Sequence, residues 1–434
     1  MFHQHLYRSF KSQIKGEGFR NFVRLLTIDS LVKASGIILL PVYLRLMTPD
    51  EFGLFGYVTA LVAYLAMAVS GGLFVVQSKM YFEYPDRPND VLFTLNILLF
   101  FLVAVIFVVI VVFNLDQLSF EFLFKHPINF FKFRWPFLIG VFAAAFSYML
   151  VNYYLASRQI KKLQSFNLLR IGLIHLVVIV LLISFDKQNG ALIRLFSTSV
   201  VEVLLVIGFG ALLFRDSRKL KFDRAIAKRA LLLVYPITLL SVFSLVIFLS
   251  DRFYLERLGT RQDLATYNLA WTMAGVIPFI SNSLHSIWMP LLLEEKDQAV
   301  LRSRVKGMAF KLIVGFGLVS IALLALTKLM LTLGIIGEAY NKVLPVLPVV
   351  LVGVTFLSLF QLRFNYLVSL SRFNIFIHLG LGVGLLALVV APTFVKAWGV
   401  MGAAFSMLTL NFSLLVASLF PTLKLPSKFS LPVT

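Results

Sequence analysis

The chain is built from runs of about twenty apolar residues separated by short polar breaks. The runs fall at 25–44, 53–76, 91–113, 135–156, 164–185, 190–214, 230–250, 264–289, 307–330, 346–367, 375–393 and 400–420. As a helix, one such run crosses a hydrocarbon core of roughly 30 Å. The breaks carry turn chemistry, as in Thr48-Pro49-Asp50, Pro85-Asp86-Arg87-Pro88-Asn89 and Asp186-Lys187-Gln188-Asn189. The pattern predicts an all-α integral membrane protein of twelve transmembrane helices.

Composition narrows the chemistry. Of 434 residues, 59% are hydrophobic and only 14% charged, too few charges to cover a soluble domain of this length. There are no cysteines, which excludes disulfides, thiolate nucleophiles and Cys-based metal sites. A net charge of +20 would suit nucleic acid, but the basic residues sit in short loops between apolar runs, where they meet anionic headgroups instead. Of 40 lysines and arginines, 24 fall in the termini and the alternate loops on their side; 10 fall in the opposite loops. The positive-inside rule then places both termini in the cytoplasm. The polar, basic start (Arg8, Lys11, Lys15, Arg20) does not read as a cleavable signal peptide.

Three loop–helix boundaries recur at one offset, 212 positions. Thr48 with Glu51–Phe55 pairs with Thr260 with Asp263–Tyr267; Tyr154–Ser157 pairs with Tyr366–Ser369; Gly190-Ala191 pairs with Gly402-Ala403. The chain therefore reads as two six-helix lobes, 1–214 and 230–420, with a basic cytoplasmic linker at 215–229 and a tail at 421–434. An even number of helices per unit gives the lobes the same orientation and a pseudo-twofold axis along the membrane normal. Such a duplication suits alternating access, in which one lobe rocks against the other; duplication for stability alone is the plainer alternative.

Longer stretches resemble a known family. Leu40-Pro41-Val42-Tyr43-Leu44-Arg45-Leu46-Met47-Thr48-Pro49-Asp50-Glu51-Phe52-Gly53-Leu54-Phe55 resembles the first-loop signature of polysaccharide (oligosaccharide-lipid) flippases. Asp251-Arg252-Phe253 with Ala265-Thr266-Tyr267-Asn268-Leu269-Ala270 is similar to its counterpart at the seventh helix. Gly337-Glu338-Ala339-Tyr340 with Val343–Leu347, and Trp398–Ala404, resemble later landmarks. Leu264-Ala265-Thr266 departs from the usual acid-Gly pattern. This family belongs to the multidrug/oligosaccharidyl-lipid/polysaccharide exporter superfamily. The resemblance implies two lobes forming a V around a cavity. It implies movement of an undecaprenyl-pyrophosphate-linked oligosaccharide from the cytoplasmic to the outer leaflet of a bacterial inner membrane. It also implies a monomer acting without a cofactor, beside a polysaccharide polymerase and chain-length machinery.

A pyrophosphate headgroup needs a wet, cationic path, so ionisable residues inside helices are the candidates. Asp29 and Lys33 share a face at i, i+4, which makes Lys33 a cavity anion contact or half of a self-neutralising pair. Arg170, Arg194, Arg363 and Lys311 suit phosphate, or snorkel to headgroups. Glu202 and His175 fall at similar depth on neighbouring helices, either as a proton-coupling pair or as a structural hydrogen bond. Asp251 and Arg252, at the expected outer end of the seventh helix, suit an ion-pair gate.

Other apparent motifs carry no chemistry. Gly380-Leu381-Gly382-Val383-Gly384 sits inside an apolar helix, where small residues allow close packing. Asn411-Phe412-Ser413 matches a glycosylation pattern but lies within the membrane. No Walker lysine motif and no H-E-x-x-H are present, and His3 and His5 supply two ligands at most. The remaining alternatives are a cation-coupled multidrug exporter and a polytopic glycan polymerase or acyltransferase. The excess of embedded cations favours an anionic cargo.

Overall fold

A computed structural model describes residues 36–126, 128–185, 189–216, 221–295, 297–370 and 374–419. Asp29 and Lys33 lie outside the described residues. Every regular element among the described residues is helical. In chain order they are α1 (Leu40–Leu46), α2 (Pro49–Val69), α3 (Leu73–Glu83), α4 (Pro88–Val112), α5 (Leu115–Leu123), α6 (Phe130–Ala156) and α7 (Ile160–Ser184). They continue as α8 (Gly190–Asp216), α9 (Arg224–Leu258), α10 (Arg261–Ala274), α11 (Val276–Glu294), α12 (Gln298–Thr332), a 3-10 turn (Glu338–Tyr340), α13 (Val343–Ser369) and α14 (Asn374–Leu419).

Among the described residues, nine of these helices are long and apolar enough to cross a membrane. One of the nine, α14, is two spans. Its 46 residues would reach roughly 69 Å as a straight helix, more than twice a hydrocarbon core. Gly399 breaks it with φ 53° and ψ −126°. The chain doubles back there so tightly that a β-carbon on Gly402 would run into the Phe394 carbonyl. The second and eighth spans are each a pair, α2–α3 and α10–α11. The first pair bends at Gly71 and Gly72, whose φ of 57° and 73° side chains rarely adopt. With α1 these make the twelve-helix, two-lobe fold.

Element ends differ from the expected ones wherever polarity was read as a loop. The second span was expected to end at 76; α3 continues to Glu83. The seventh was expected at 230–250, but α9 runs from Arg224 to Leu258. Its charged last two turns stay helical because Asp251, Arg252 and Glu256 are buried rather than solvated. Asp251 and Arg252 therefore lie two turns inside the helix, not at its end.

The repeat is visible in local chemistry. Thr48 caps α2 by accepting from the Glu51 amide at 3.3 Å; Thr260 caps α10 by accepting from the Asp263 amide at 3.1 Å. Pro136 and Pro348, again 212 apart, lie inside α6 and α13 near their starts. Gly140 of α6 lies against Ser199 of α8, and Gly353 of α13 against Met407 and Leu408 of α14.

Symmetry-related residues touch each other only on the axis that relates them. Gly53 meets Ala265, its own counterpart: a β-carbon on Gly53 would lie 2.8 Å from the Ala265 nitrogen. Gly56 meets its counterpart Asn268, whose side chain fills the space a β-carbon would need. Asn268 Nδ2 donates to the Phe52 carbonyl at 3.0 Å. The pseudo-twofold axis thus passes between α2 and α10, on the side opposite the basic loops. Close backbone approach through small residues is how helices bind in lipid, where burial of apolar surface offers little drive.

Gly53→Val would press two methyl groups onto backbone that cannot yield. We expect a loss of about 1–3 kcal/mol, read as a lower unfolding temperature in detergent. Gly172→Val, where a β-carbon meets nothing within 4 Å, should leave that temperature nearly unchanged.

Candidate functional site

Two polar constellations are held inside the otherwise apolar helices. The first is in the amino-terminal lobe. Arg170 sits roughly 15 Å along α7 from Ile160, and Glu202 roughly 18 Å along α8 from Gly190. The two helices are antiparallel, so the side chains meet. Arg170 Nε donates to Glu202 Oε1 at 2.5 Å, and its Nη2 reaches the same oxygen. Ser147 of α6 donates to the other oxygen, Oε2, at 2.7 Å. The Glu202 side chain is 3% exposed and that of Arg170 is 33% exposed. The carboxylate is thus desolvated and fully used, while the guanidinium keeps contact with its surroundings. His175 does not join them. Its Nδ1 shares a 2.5 Å hydrogen bond with the Tyr43 hydroxyl of α1. The expected His175–Glu202 pair gives way to Arg170 because a full charge desolvated in the membrane takes the stronger opposite charge.

Arg194 lies one turn into α8. Its guanidinium carbon is 3.9 Å from the Tyr43 ring centroid and 3.8 Å from that of Phe55. Two aromatic faces hold the plane of the group and leave its N–H edge as the polar surface. Two other expected contacts have different surroundings. Arg363 Nε donates to the Ser418 carbonyl at 3.1 Å, near the end of α14, and the group lies over the Tyr366 ring. Lys311 is exposed on α12.

The second constellation is the seam along α9, which touches the amino-terminal lobe at both ends. On the basic side, Asp223 caps α9 by accepting from the Ile226 amide at 3.1 Å and the Ala225 amide at 2.7 Å. It also accepts from Arg87 Nη1 at 2.8 Å. These donors, the Ile226 amide foremost, hold the Asp223 carboxyl below the usual carboxylate range. Thr238 donates to the Gly71 carbonyl at 2.6 Å, at the bend of the second span. Midway, Tyr64 of α2 stacks on Phe248 at 5.5 Å.

On the opposite side, Tyr267 of α10 donates to Asp251, and Arg252 lies over the Trp271 ring at 4.7 Å. The residues expected as an ion-pair gate thus each bind α10, within their own lobe. Other contacts cross between the lobes there. Glu256 meets His126 at 3.2 Å, Arg257 donates to the Phe122 carbonyl, and Phe253 stacks on Phe122 at 5.2 Å. The sequence does not reveal them, because 251–263 and 114–134 read as solvated loops. The spacing of Tyr267 and Trp271, one helical turn apart, was the available signal for the partners of Asp251 and Arg252. Among the described residues, no three His, Asp or Glu side chains converge on a metal-sized site.

The Arg170–Glu202 pair makes a checkable claim about stability. Arg170→Ala strands a buried carboxylate and should cost about 1–3 kcal/mol, after discounting for the exposed guanidinium. The double variant Arg170→Met/Glu202→Leu should recover most of that loss in detergent thermal unfolding.

Residues 19–296 match the family described as polysaccharide biosynthesis protein. No curated protein matches the chain. Solved structures do. A crystal structure of MATE in complex with MaD5 superposes with TM-score 0.65 at 15% identity, covering 94% of this chain and 96% of that one. An outward-facing multidrug resistance MATE family transporter of the MOP superfamily gives TM-score 0.63 at 14% identity over the same shares. The inward-facing form of such a transporter gives TM-score 0.60 at 15% identity over 90% and 96%. The match across well over half of its length shows that the chain belongs to the polysaccharide biosynthesis protein family, and the solved structures share its twelve-helix fold.

Proposed function

We propose that this protein is a flippase that carries an undecaprenyl-pyrophosphate-linked oligosaccharide from the cytoplasmic to the outer leaflet of the bacterial inner membrane, for surface polysaccharide assembly. The family match carries this reading. The embedded cations support it. The lipid tail can remain in the bilayer while the pyrophosphate and sugars pass between the lobes. An anion entering a low-dielectric slab needs positive charge that is already placed and already desolvated. Arg194, clamped between two rings, offers a planar donor edge of the kind that binds phosphate oxygens in pairs. Arg170, whose charge Glu202 neutralises, contributes the part of its guanidinium that stays exposed. Lys33 with Asp29, Lys311 and Arg363 complete the candidate path, and Asp251, Arg252, Glu202 and His175 are the candidates for gating or coupling. Alternating access follows from two similar lobes meeting at a narrow seam of small residues. In this reading the basic loops and both termini face the cytoplasm, and the polymerase and chain-length machinery receive the product.

The reading predicts a specific cellular defect. Deleting the gene should abolish surface glycan and build up its lipid-linked precursor in the inner leaflet. Normal surface glycan in a strain with no second flippase would refute it. Arg194→Gln should lower complementation of that deletion by about tenfold or more, with Arg194→Lys intermediate, because lysine keeps the charge but loses the fork.

A further inference from the structure

The segment Phe122–His126 includes the last two residues of α5 and crosses from the amino-terminal lobe onto the last two turns of α9. It is fixed from both sides. Tyr57 of α2 donates to the Leu123 carbonyl at 3.0 Å and packs edge-on against the Phe124 ring. From the other lobe, Arg257 donates to the Phe122 carbonyl and lies over both the Phe122 and Phe253 rings. His126 Nδ1 then reaches Glu256 Oε1 at 3.2 Å. The two partners are unlike: the Glu256 side chain is 1% exposed, that of His126 38%. The second Glu256 oxygen has no hydrogen-bond partner. The carboxylate is thus out of water on the carboxy-terminal lobe, and its matching cation comes from a solvent-reaching imidazole on the other lobe.

We propose that Phe122–His126 is a clasp that closes the two lobes on the side opposite the basic loops, and that acid on that side tightens it through His126 and Glu256. A protonated imidazole makes an ion pair with the buried carboxylate; a neutral one makes a single hydrogen bond. Opening the seam separates the partners, so the ion pair exists only in the closed arrangement and a charged imidazole favours closure. The other ionisable groups around the pair are Tyr57 from α2, Tyr267 from α10, Lys125 on the segment itself, and Asp251, Arg252 and Arg257 on α9. The helix α14, which also packs along α9, carries the exposed Lys396 three residues before Gly399. His126 is the imidazole of this set, and imidazole is the side chain that ordinarily changes charge between pH 5 and 8. The clasp differs from the basic-side contacts of α9. Arg87 with Asp223 and Arg229 with Glu83 are guanidinium–carboxylate pairs, whose cations keep their charge at any pH of interest. One end of the seam is therefore proton-sensitive and the other is not.

The chain has no cysteine, so spin labels can be placed without removing native residues. Cysteines at exposed Gln117 on α5 and Leu258 on α9 lie outside the clasp contacts and straddle the seam. Pulsed electron–electron distance measurements on the full-length labelled protein in lipid nanodiscs, without cargo, then report closure directly. The closed, short-distance population should be about fivefold larger at about pH 5.5 than at about pH 8. His126→Gln should flatten that dependence, and His126→Lys should hold the seam closed at both pH values. A population unchanged with pH in the parent, or a pH response that survives in His126→Gln, would overturn the proposal. No transport is measured, so failure here leaves the flippase reading untouched.

Discussion

Two stretches of backbone approach within side-chain distance at the axis between α2 and α10, and the rest of the architecture is arranged around that contact. Gly53 against Ala265 and Gly56 against Asn268 are each a residue meeting its own repeat partner. In lipid, apolar surface gains little by leaving its solvent, so association relies on close packing and hydrogen bonds. Glycine supplies the first, and the Asn268 amide on the Phe52 carbonyl supplies the second. The contact also explains why the second half lacks the acid-Gly pattern of the first. One side must be glycine to admit the other, but a pseudo-twofold pair needs only one such side. Ala265 occupies the space that Gly53 leaves, and Asn268 the space left by Gly56.

Around this axis, the two lobes are stabilised differently inside and between. Inside the amino-terminal lobe, charge is neutralised locally, by Arg170 on Glu202 with Ser147. Such pairs are costly to break and so hold the lobe as one body. Between the lobes, α9 is bound near its ends by contacts closer to water: Arg87 with Asp223 on the basic side, and His126 with Glu256 on the other. Rigid lobes joined by exchangeable end contacts are what a rocking motion requires. Arg194 sits within the amino-terminal lobe, held between the Tyr43 and Phe55 rings, which fix its donor edge.

Much of this was legible in sequence, for identifiable reasons. Hydrophobic length is a strict requirement in a bilayer, so the spans could be counted even where their ends could not. The repeat was readable at Thr48 and Thr260 because capping chemistry tolerates few substitutes. Pro136 and Pro348 share the same offset and carry the same information. Asp251 and Arg252 are legible as charges near a helix end, but their α10 partners are not. Charge near a helix end reads as surface unless the partner is known, and Tyr267 and Trp271 lie on the next helix. Glu256 and His126 were missed because their pairing joins positions 130 apart, which no local pattern encodes. The bends at Gly71-Gly72 and Gly275 were hidden inside continuous apolar runs, where lipid hides the polarity signals that mark a turn in water.

The central claim is that two lobes meeting at this axis carry a lipid-linked, pyrophosphate-bearing glycan across the bilayer. Its most direct measurement is leaflet accessibility of a fluorescent undecaprenyl-pyrophosphate oligosaccharide in proteoliposomes containing the purified protein, using a membrane-impermeant quencher. The account predicts that the protected fraction exchanges between leaflets far faster than in protein-free vesicles, and that Arg194→Gln slows the exchange. Exchange no faster than in protein-free vesicles, with protein shown to be folded and inserted, would contradict it.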